Sequence, residues 1–327
     1  MDFAKWFKAR TFNHKDFADI KKLVELKEEQ NRSISLCLPT LNEAKTVPRI
    51  LTNIKAALVD KYPLLDEIAL IDSRSTDGTI ESARQLGIDV FFDDEILTSQ
   101  GPGKGKGEAL WKSLFALKGD IIIWIDSDIK NIHPRFVYGL VGPLLVHPEI
   151  GFIKGFYERP ITFKKVQKEA GGGRVTEILT RPFFNMFYPD LTGFIQPLAG
   201  EYGGRRDVLE GVPFFTGYGV ETGLLVDIWR RYGLSGMAQS DLDKRVHHNQ
   251  SLGALGKMSF SIMQAIYALL EEDGMIEVKA DLNKTFRTVK HSNHDYSFHS
   301  RKIEIIKRPP MISIEEYLDR HHKKGNL

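Results

Sequence analysis

The residues with the plainest chemical content close the run Asp120-Ile121-Ile122-Ile123-Trp124-Ile125-Asp126-Ser127-Asp128. The run reads as a strand. A strand sends alternate side chains to one face, so Asp126 and Asp128 leave it on the same side. Two like charges at the end of a buried strand call for a cation. A divalent metal carrying a diphosphate meets that demand, because hard cations take oxygen ligands and share them with phosphates. The plain alternative is a solvated turn in which one Asp caps the next helix.

Other candidates follow the same logic of polar residues at strand ends. The first strand ends Cys37-Leu38-Pro39-Thr40-Leu41-Asn42-Glu43, where Pro39 removes a donor and stiffens the exit. Asn42 and Glu43 are positioned to cap the next helix or to hydrogen-bond a ribose. The second strand ends Ile71-Asp72-Ser73-Arg74-Ser75-Thr76-Asp77-Gly78-Thr79. Asp72, suited to accept from a base N–H, and Ser73 read as ligand-facing, while Asp77 and Thr79 read as capping residues. Gly101-Pro102-Gly103-Lys104-Gly105-Lys106-Gly107-Glu108 is a glycine-rich loop opening a helix, which suits an anionic phosphate. It is not a P-loop, because no Gly-Lys-[Ser/Thr] follows at the required spacing. Lys106, nearest the helix start, is the best candidate for a donor nucleotide; a plain surface loop is the alternative.

The second half adds Gly171-Gly172-Gly173-Arg174-Val175-Thr176-Glu177, whose Arg174 offers a planar fork matched to phosphate or carboxylate. Two anion-friendly loops imply two anionic ligands, a donor diphosphate and an acidic or phosphorylated acceptor; without the second, the glycines are a hinge. In Gly217-Tyr218-Gly219-Val220-Glu221-Thr222-Gly223, Glu221 reads either as a helix-start carboxylate or as a partner of sugar hydroxyls. Arg245-Val246-His247-His248-Asn249 brings two adjacent imidazoles that point opposite ways in an extended segment, so only one reaches a metal.

The elements that must position these residues alternate along the chain. Strands are expected at Ile34 to Leu38, Glu67 to Ile71, Val90 to Phe92 and Asp120 to Ile125. Helices are expected at about 44–58, 76–86 and 107–117. This alternation predicts an α/β fold with a mostly parallel sheet covered on both faces and ligands beyond the strands' carboxyl ends. Residues 1–32 read as an amphipathic helical arm, 33–130 as a nucleotide-binding half and 131–274 as a helical and irregular acceptor lobe. Residues 275–327, polar and weakly periodic, read as an extension packing on a second subunit.

Composition narrows the class. The 327 residues carry a net charge of +2 and 42% apolar residues, an ordinary globular balance with no strong electrostatic case for nucleic acid. The single cysteine, Cys37, excludes an internal disulfide framework. The first residues lack the apolar stretch of a secretory signal. No segment reaches the roughly 20 apolar residues that cross a bilayer. A soluble cytoplasmic protein without a membrane partner is expected.

Taken together, Pro39-Thr40-Leu41-Asn42-Glu43, Asp126-Ser127-Asp128, the Gly171–Glu177 loop, Gln196-Pro197-Leu198-Ala199-Gly200-Glu201-Tyr202 and Gly217-Tyr218-Gly219-Val220-Glu221 form an ordered set. It spans about residues 33 to 260 and resembles the retaining glycosyltransferases of GT-A fold that make glucosyl-3-phosphoglycerate. The resemblance implies a GT-A, Rossmann-like sheet and transfer of glucose from UDP-glucose to the 2-hydroxyl of 3-phosphoglycerate. It implies that Pro39, Thr40, Leu41, Asn42, Glu43, Asp72, Ser73, Lys106, Asp126 and Ser127 hold the donor nucleotide. Asp128 and His247 would bind Mg²⁺ or Mn²⁺. Gly173, Arg174, Thr176 and Asn249 would hold 3-phosphoglycerate, with Arg245 a further candidate. Glu221, Asp128 and the Leu198 carbonyl would serve the chemistry. Such enzymes are cytoplasmic homodimers serving compatible-solute or polysaccharide-precursor synthesis.

The alternatives are a GDP-mannose-using relative, an inverting transferase acting on a polyprenyl phosphate, a sugar nucleotidyltransferase and a non-catalytic nucleotide-binding module. The inverting enzyme would want a membrane anchor and a carboxylate base behind the anomeric carbon. The nucleotidyltransferase would want a glycine-rich loop with Arg and Lys after the first strand, where this chain has Pro39-Thr40-Leu41-Asn42.

Overall fold

The computed structural model describes residues 3–159, 161–163, 166–168, 173–246, 250–292 and 295–322. Its main sheet is built from β1 (Thr11–Asn13), β2 (Ile34–Thr40), β3 (Glu67–Asp72), β4 (Asp89–Phe92), β5 (Ile121–Trp124), β6 (Phe152–Glu158), β9 (Tyr202–Arg205) and β11 (Met237–Lys244). The spatial order is β1-β11-β6-β9-β5-β2-β3-β4. Neighbours are parallel except where β9 meets β5 and β6. Three two-stranded ribbons stand apart: β7 (Ile161–Phe163) with β8 (Val166–Lys168), β10 (Phe214–Phe215) with β14 (Lys307–Arg308), and β12 (Thr285–Ser292) with β13 (Asp295–Lys302).

The central strands are continuous apolar runs because helices cover both faces. Along β5, Ile121 and Ile123, with Ile125 beyond them, enter one core with Leu23 of α2 (Ile20–Glu29), Ile50 and Ile54 of α3 (Val47–Lys55) and Leu140 of α6 (Arg135–Val146). Ile122 and Trp124 enter the opposite core with Trp111 of α5 (Lys106–Ala116), Leu224 of α9 (Val220–Tyr232) and Leu269 of α10 (Leu252–Glu272). In α3 the apolar residues Val47, Ile50, Leu51 and Ile54 fall on one helical face. The first half therefore matches its pattern, with strand ends moved by a residue or two.

The two ends of the chain differ from expectation. The N-terminal segment forms α1 (Phe3–Arg10) and α2, but between them β1 joins the sheet edge beside β11. Trp6 is buried and donates its indole N–H to the Met237 carbonyl at 3.0 Å. Residues 131–274 are less irregular than their sequence implies, since they supply β6, β9 and β11 to the common sheet. Their pattern is hidden by glycine and polar residues that the packing itself requires. In β9 a Cβ on Gly203 would meet the Ile122 carbonyl at 2.3 Å, and one on Gly204 the Gly151 carbonyl at 2.4 Å. Only glycine lets this antiparallel strand wedge between β5 and β6.

The C-terminal segment is a strap as well as an extension. Strand β14 pairs with β10, just before Gly217–Glu221, while the Arg308 guanidinium forks onto Glu108 of α5, both bonds being 2.8 Å. Arg308 also donates to the carbonyls of Gln100 and Gly101. Both ends of this ion pair are buried. Replacing Arg308 with Met should cost about 3 kcal/mol of unfolding free energy, the lower end for a broken buried pair, because Lys112 still reaches Glu108. Urea unfolding measures this; a loss under about 1 kcal/mol would contradict the strap.

Candidate active site

Adjacent parallel strands β2 and β5 end side by side, and the chain beyond each carries the polar residues singled out above. Asp126 and Asp128 do share one side. The Arg245 Nη2 donates to both, at 3.0 Å to Asp126 Oδ2 and 2.6 Å to Asp128 Oδ1. Lys106, the first residue of α5, donates to Asp126 Oδ1 at 2.6 Å and lies 2.9 Å from Glu221 Oε1. Glu221 also accepts from the Tyr202 hydroxyl at 3.4 Å, and its other oxygen has no hydrogen-bond partner among the described residues. Arg245 donates to the Tyr157 hydroxyl at 2.7 Å, and its Nε lies 3.4 Å from Glu201. Beneath this layer the Lys154 ammonium donates to the Ala199 carbonyl at 2.7 Å and sits 4.0 Å above the Tyr202 ring.

The electrostatics are those of charges withdrawn from water. Burial alone would lift the Asp126 carboxyl, but Lys106 and Arg245 outweigh it and hold it well below the usual carboxylate range. Against burial, Asp126 and Glu221 keep Lys106 charged, and Glu201 with its neighbours keeps Arg245 charged. Burial pushes Glu201 up and drives the Tyr157 phenol to about 12. The acidic pair converges on one cationic centre, here a guanidinium. The same hard oxygen donors suit a divalent ion sharing its coordination with phosphate oxygens. Among the described residues no cluster of three or more His, Cys, Asp or Glu could hold a metal alone. His247 and Asn249 lie outside the described residues.

Glycines hold this centre together by absence of side chains. A Cβ on Gly200 would fall 1.9 Å from Asp126 Oδ2, so the turn before β9 lies directly on the carboxylate. The Gly101–Gly107 loop, expected as a phosphate cradle, is shaped by packing. A Cβ on Gly103 would meet the Glu108 carboxylate at 2.3 Å, and one on Gly107 the Phe215 carbonyl at 1.9 Å. Of that loop, Lys106 is the residue that reaches the acidic pair.

The first two strand ends are largely tied to each other. Asp72 is fully buried and accepts from the Thr40 hydroxyl (2.7 Å) and from the Ser75 N–H (2.7 Å) and hydroxyl (2.6 Å). Asp72, expected to face a base, uses both of its oxygens to close the loop. Asn42, at φ +58°, accepts from the Thr76 N–H, and Asp77 caps Thr79 as expected. The Ser73 hydroxyl donates to Asp93 at 2.6 Å. Ser127 donates to the Pro39 carbonyl at 2.9 Å while its own carbonyl accepts from Thr46. Glu43 is half-buried; burial and then the charge of Asp128 push its carboxyl up, which ties the first-strand motif to the acidic pair. Leu41 is exposed.

On the acceptor side Gly173 takes φ +87° and Thr176 is buried. Arg174 donates to the Gln250 carbonyl at 2.8 Å, joining the glycine loop to the segment after Asn249. Arg245, the further acceptor candidate, is buried against Asp126, Asp128, Glu201 and Tyr157, beside the acidic pair. Leu198 is buried in the turn before Gly200. Sequence reasoning missed Lys154 and Tyr157 and gave Glu201 no role. A lysine inside the otherwise apolar Phe152-Ile153-Lys154-Gly155-Phe156-Tyr157 run was the available signal.

The family model for glycosyl transferase family 2 matches residues 35–202. The chain is 49% identical over 318 residues to a glucosyl-3-phosphoglycerate synthase of Petrotoga mobilis, covering 97% of this chain and 98% of that one. Its structure is similar to crystalline mannosyl-3-phosphoglycerate synthase from Rubrobacter xylanophilus, with a TM-score of 0.86, 35% identity and 95% and 97% of the two chains covered. It is also similar to glucosyl-3-phosphoglycerate synthase from Mycobacterium tuberculosis in complex with Mn²⁺, UDP-glucose and phosphoglyceric acid. That match has a TM-score of 0.75, 39% identity and coverage of 90% and 94%. Another crystal of the mycobacterial enzyme holds Mg²⁺ and UDP. A strand-end acidic pair on a mostly parallel sheet, over nearly the full length of such relatives, is decisive: the chain belongs to glycosyl transferase family 2 and, within it, to the family of glucosyl-3-phosphoglycerate synthases.

Proposed function

We propose that the chain transfers glucose from UDP-glucose to the 2-hydroxyl of 3-phosphoglycerate, with retained anomeric configuration and release of UDP. The observation that carries this reading is the convergence of Asp126 and Asp128 on one cationic centre beside Lys106 and Glu221, in a chain of this family. Asp128, with His247, would hold Mg²⁺ or Mn²⁺, which when bound neutralises charge on the departing UDP. Pro39 to Glu43, Ser73, Asp126 and Ser127 line the donor side, and the Lys106 ammonium meets its phosphates. The unpartnered oxygen of Glu221 is free to accept from a sugar hydroxyl. Gly173, Arg174, Thr176 and Asn249 take the acceptor.

Retention requires a covalent nucleophile or attack from the leaving group's own face. Nothing in the charged centre reads as a nucleophile for the anomeric carbon, which favours front-face attack. The acceptor hydroxyl then gives its proton to a donor phosphate oxygen as the glycosidic bond to UDP breaks, with the Leu198 carbonyl beside the sugar. The likeness to a mannosyl-transferring structure favours GDP-mannose as a second donor. The same reading puts the reaction in the cytoplasm, where nucleotide sugars and phosphorylated acids are made, and its product among compatible solutes.

We infer a homodimer from the β12–β13 ribbon. Val289, Tyr296 and Phe298 lie on one face of it and are exposed by 59%, 66% and 81%. Three exposed apolar side chains together, on a strand pair with no further sheet neighbour among the described residues, fit a second copy of the chain.

Incubating the protein with UDP-glucose or GDP-mannose, Mg²⁺ and 3-phosphoglycerate should yield the hexosyl-phosphoglycerate mass with UDP-glucose. A product formed only with a lipid phosphate would favour the inverting reading. Asp128→Ala should lower turnover about 100-fold or more with the fold intact by circular dichroism, since several kcal/mol of charge stabilisation are lost. Turnover indifferent to this change would refute the metal-site assignment. Phe298→Asp should halve the mass measured by light scattering; an unchanged mass would put the dimer contact elsewhere.

A further inference from the structure

Lys154 is a buried lysine to which the reaction described above gives no task. It is 1% exposed in the middle of β6, opposite Tyr202 of β9 and Gln239 of β11. It forms no ion pair among the described residues. Burying an ammonium without a carboxylate partner costs several kcal/mol, and an apolar side chain of similar length would fill the space at less cost. Burial pushes the group down to about 7, against the pull of Glu221. What the ammonium does make is a bond to the Ala199 carbonyl at 2.7 Å, over the face of Tyr202.

That carbonyl belongs to a turn pinned from several sides. The Ala199 N–H closes the turn on the Gln196 carbonyl at 3.0 Å, and the Glu201 carbonyl accepts from the Gly155 N–H at 2.8 Å. Gly200 lies against the Asp126 carboxylate. Within these anchors the Ala199–Gly200 peptide, to which that carbonyl belongs, has one strong polar hold, Lys154. A rotation of that peptide would move Gly200 on Asp126 and, through the shared Ala199 Cα, disturb the neighbouring Leu198–Ala199 peptide.

We propose that Lys154 is a positioning residue of the transfer reaction, fixing the Leu198-Ala199-Gly200 turn so that its backbone faces the sugar and the acidic pair in register. The proposal rests on the glucosyl-transfer reading and adds to it the residue that holds the turn. The amine donates to the Ala199 carbonyl in either protonation state, and an apolar side chain would leave that carbonyl without the bond. The residue touches neither substrate, so its loss is felt in the rate of the bound complex and not in binding.

The test is steady-state kinetics of Lys154→Met and Lys154→Arg beside the wild-type protein. The Met variant should lose about 100-fold in kcat, the scale of a misplaced reacting group, with KM for UDP-glucose and for 3-phosphoglycerate changed less than about 3-fold. Its thermal midpoint should be equal or higher. The Arg variant should recover most of the lost kcat. A Met variant with wild-type kcat overturns the proposal, as does a loss in which kcat, both KM values and the thermal midpoint fail together without rescue by Arg. If the Met variant does not fold, Lys154→Gln, a neutral donor one atom shorter, is read by the same kcat and KM criteria. Wild-type protein that forms no product from these substrates refutes the functional reading and the proposal together. Wild-type turnover beside an equally active Lys154→Met variant refutes the proposal alone.

Discussion

Negative charge gathered at the carboxyl end of a parallel sheet is the constraint around which this molecule is built. Asp126, Asp128, Glu201 and Glu221 stand within one partly dehydrated region and cannot all stay ionised without cations beside them. Lys106 and Arg245 supply that balance, each shared between carboxylates from separate elements. Lysine and arginine in these roles hold carboxylates from separate elements against one another.

Backbone proximity is the second requirement, and glycine supplies it. Gly200 lets the turn before β9 touch Asp126, Gly203 and Gly204 let β9 enter between parallel strands, and Gly107 lets α5 approach β10. These contacts lay residues from about fifty to just over a hundred positions apart directly against one another. They are ordinary packing constraints, yet each one sets the position of a side chain in the charged centre.

The strap at the C-terminal end joins the same system. Arg308 holds Glu108 and the carbonyls of the glycine loop, while β14 pairs with the strand that leads into Gly217–Glu221. The two elements that bring Lys106 and Glu221 together are thus fastened by one short segment. A tail that reads as a polar appendage is structurally part of the frame around the charged centre.

Sequence alone determined whatever depends on local order. Apolar runs flanked by helical periodicity gave the strands β2 to β5 and their helices, and single-residue spacing put Asp126 and Asp128 on one side, because alternation is a property of the extended chain itself. The ordered motifs carried the family. Tertiary structure decided what depends on partners distant in the chain. It turned Asp72 inward to close a loop with Thr40 and Ser75, gave Arg245 to the acidic pair, made packing contacts of the loop glycines and set Lys154 beneath Ala199. It also drew β6, β9 and β11 into the sheet despite their glycine and polar content. A side chain's charge and reach are written in its own identity; which opposite charge or carbonyl it meets is fixed only when strands far apart in sequence are laid side by side.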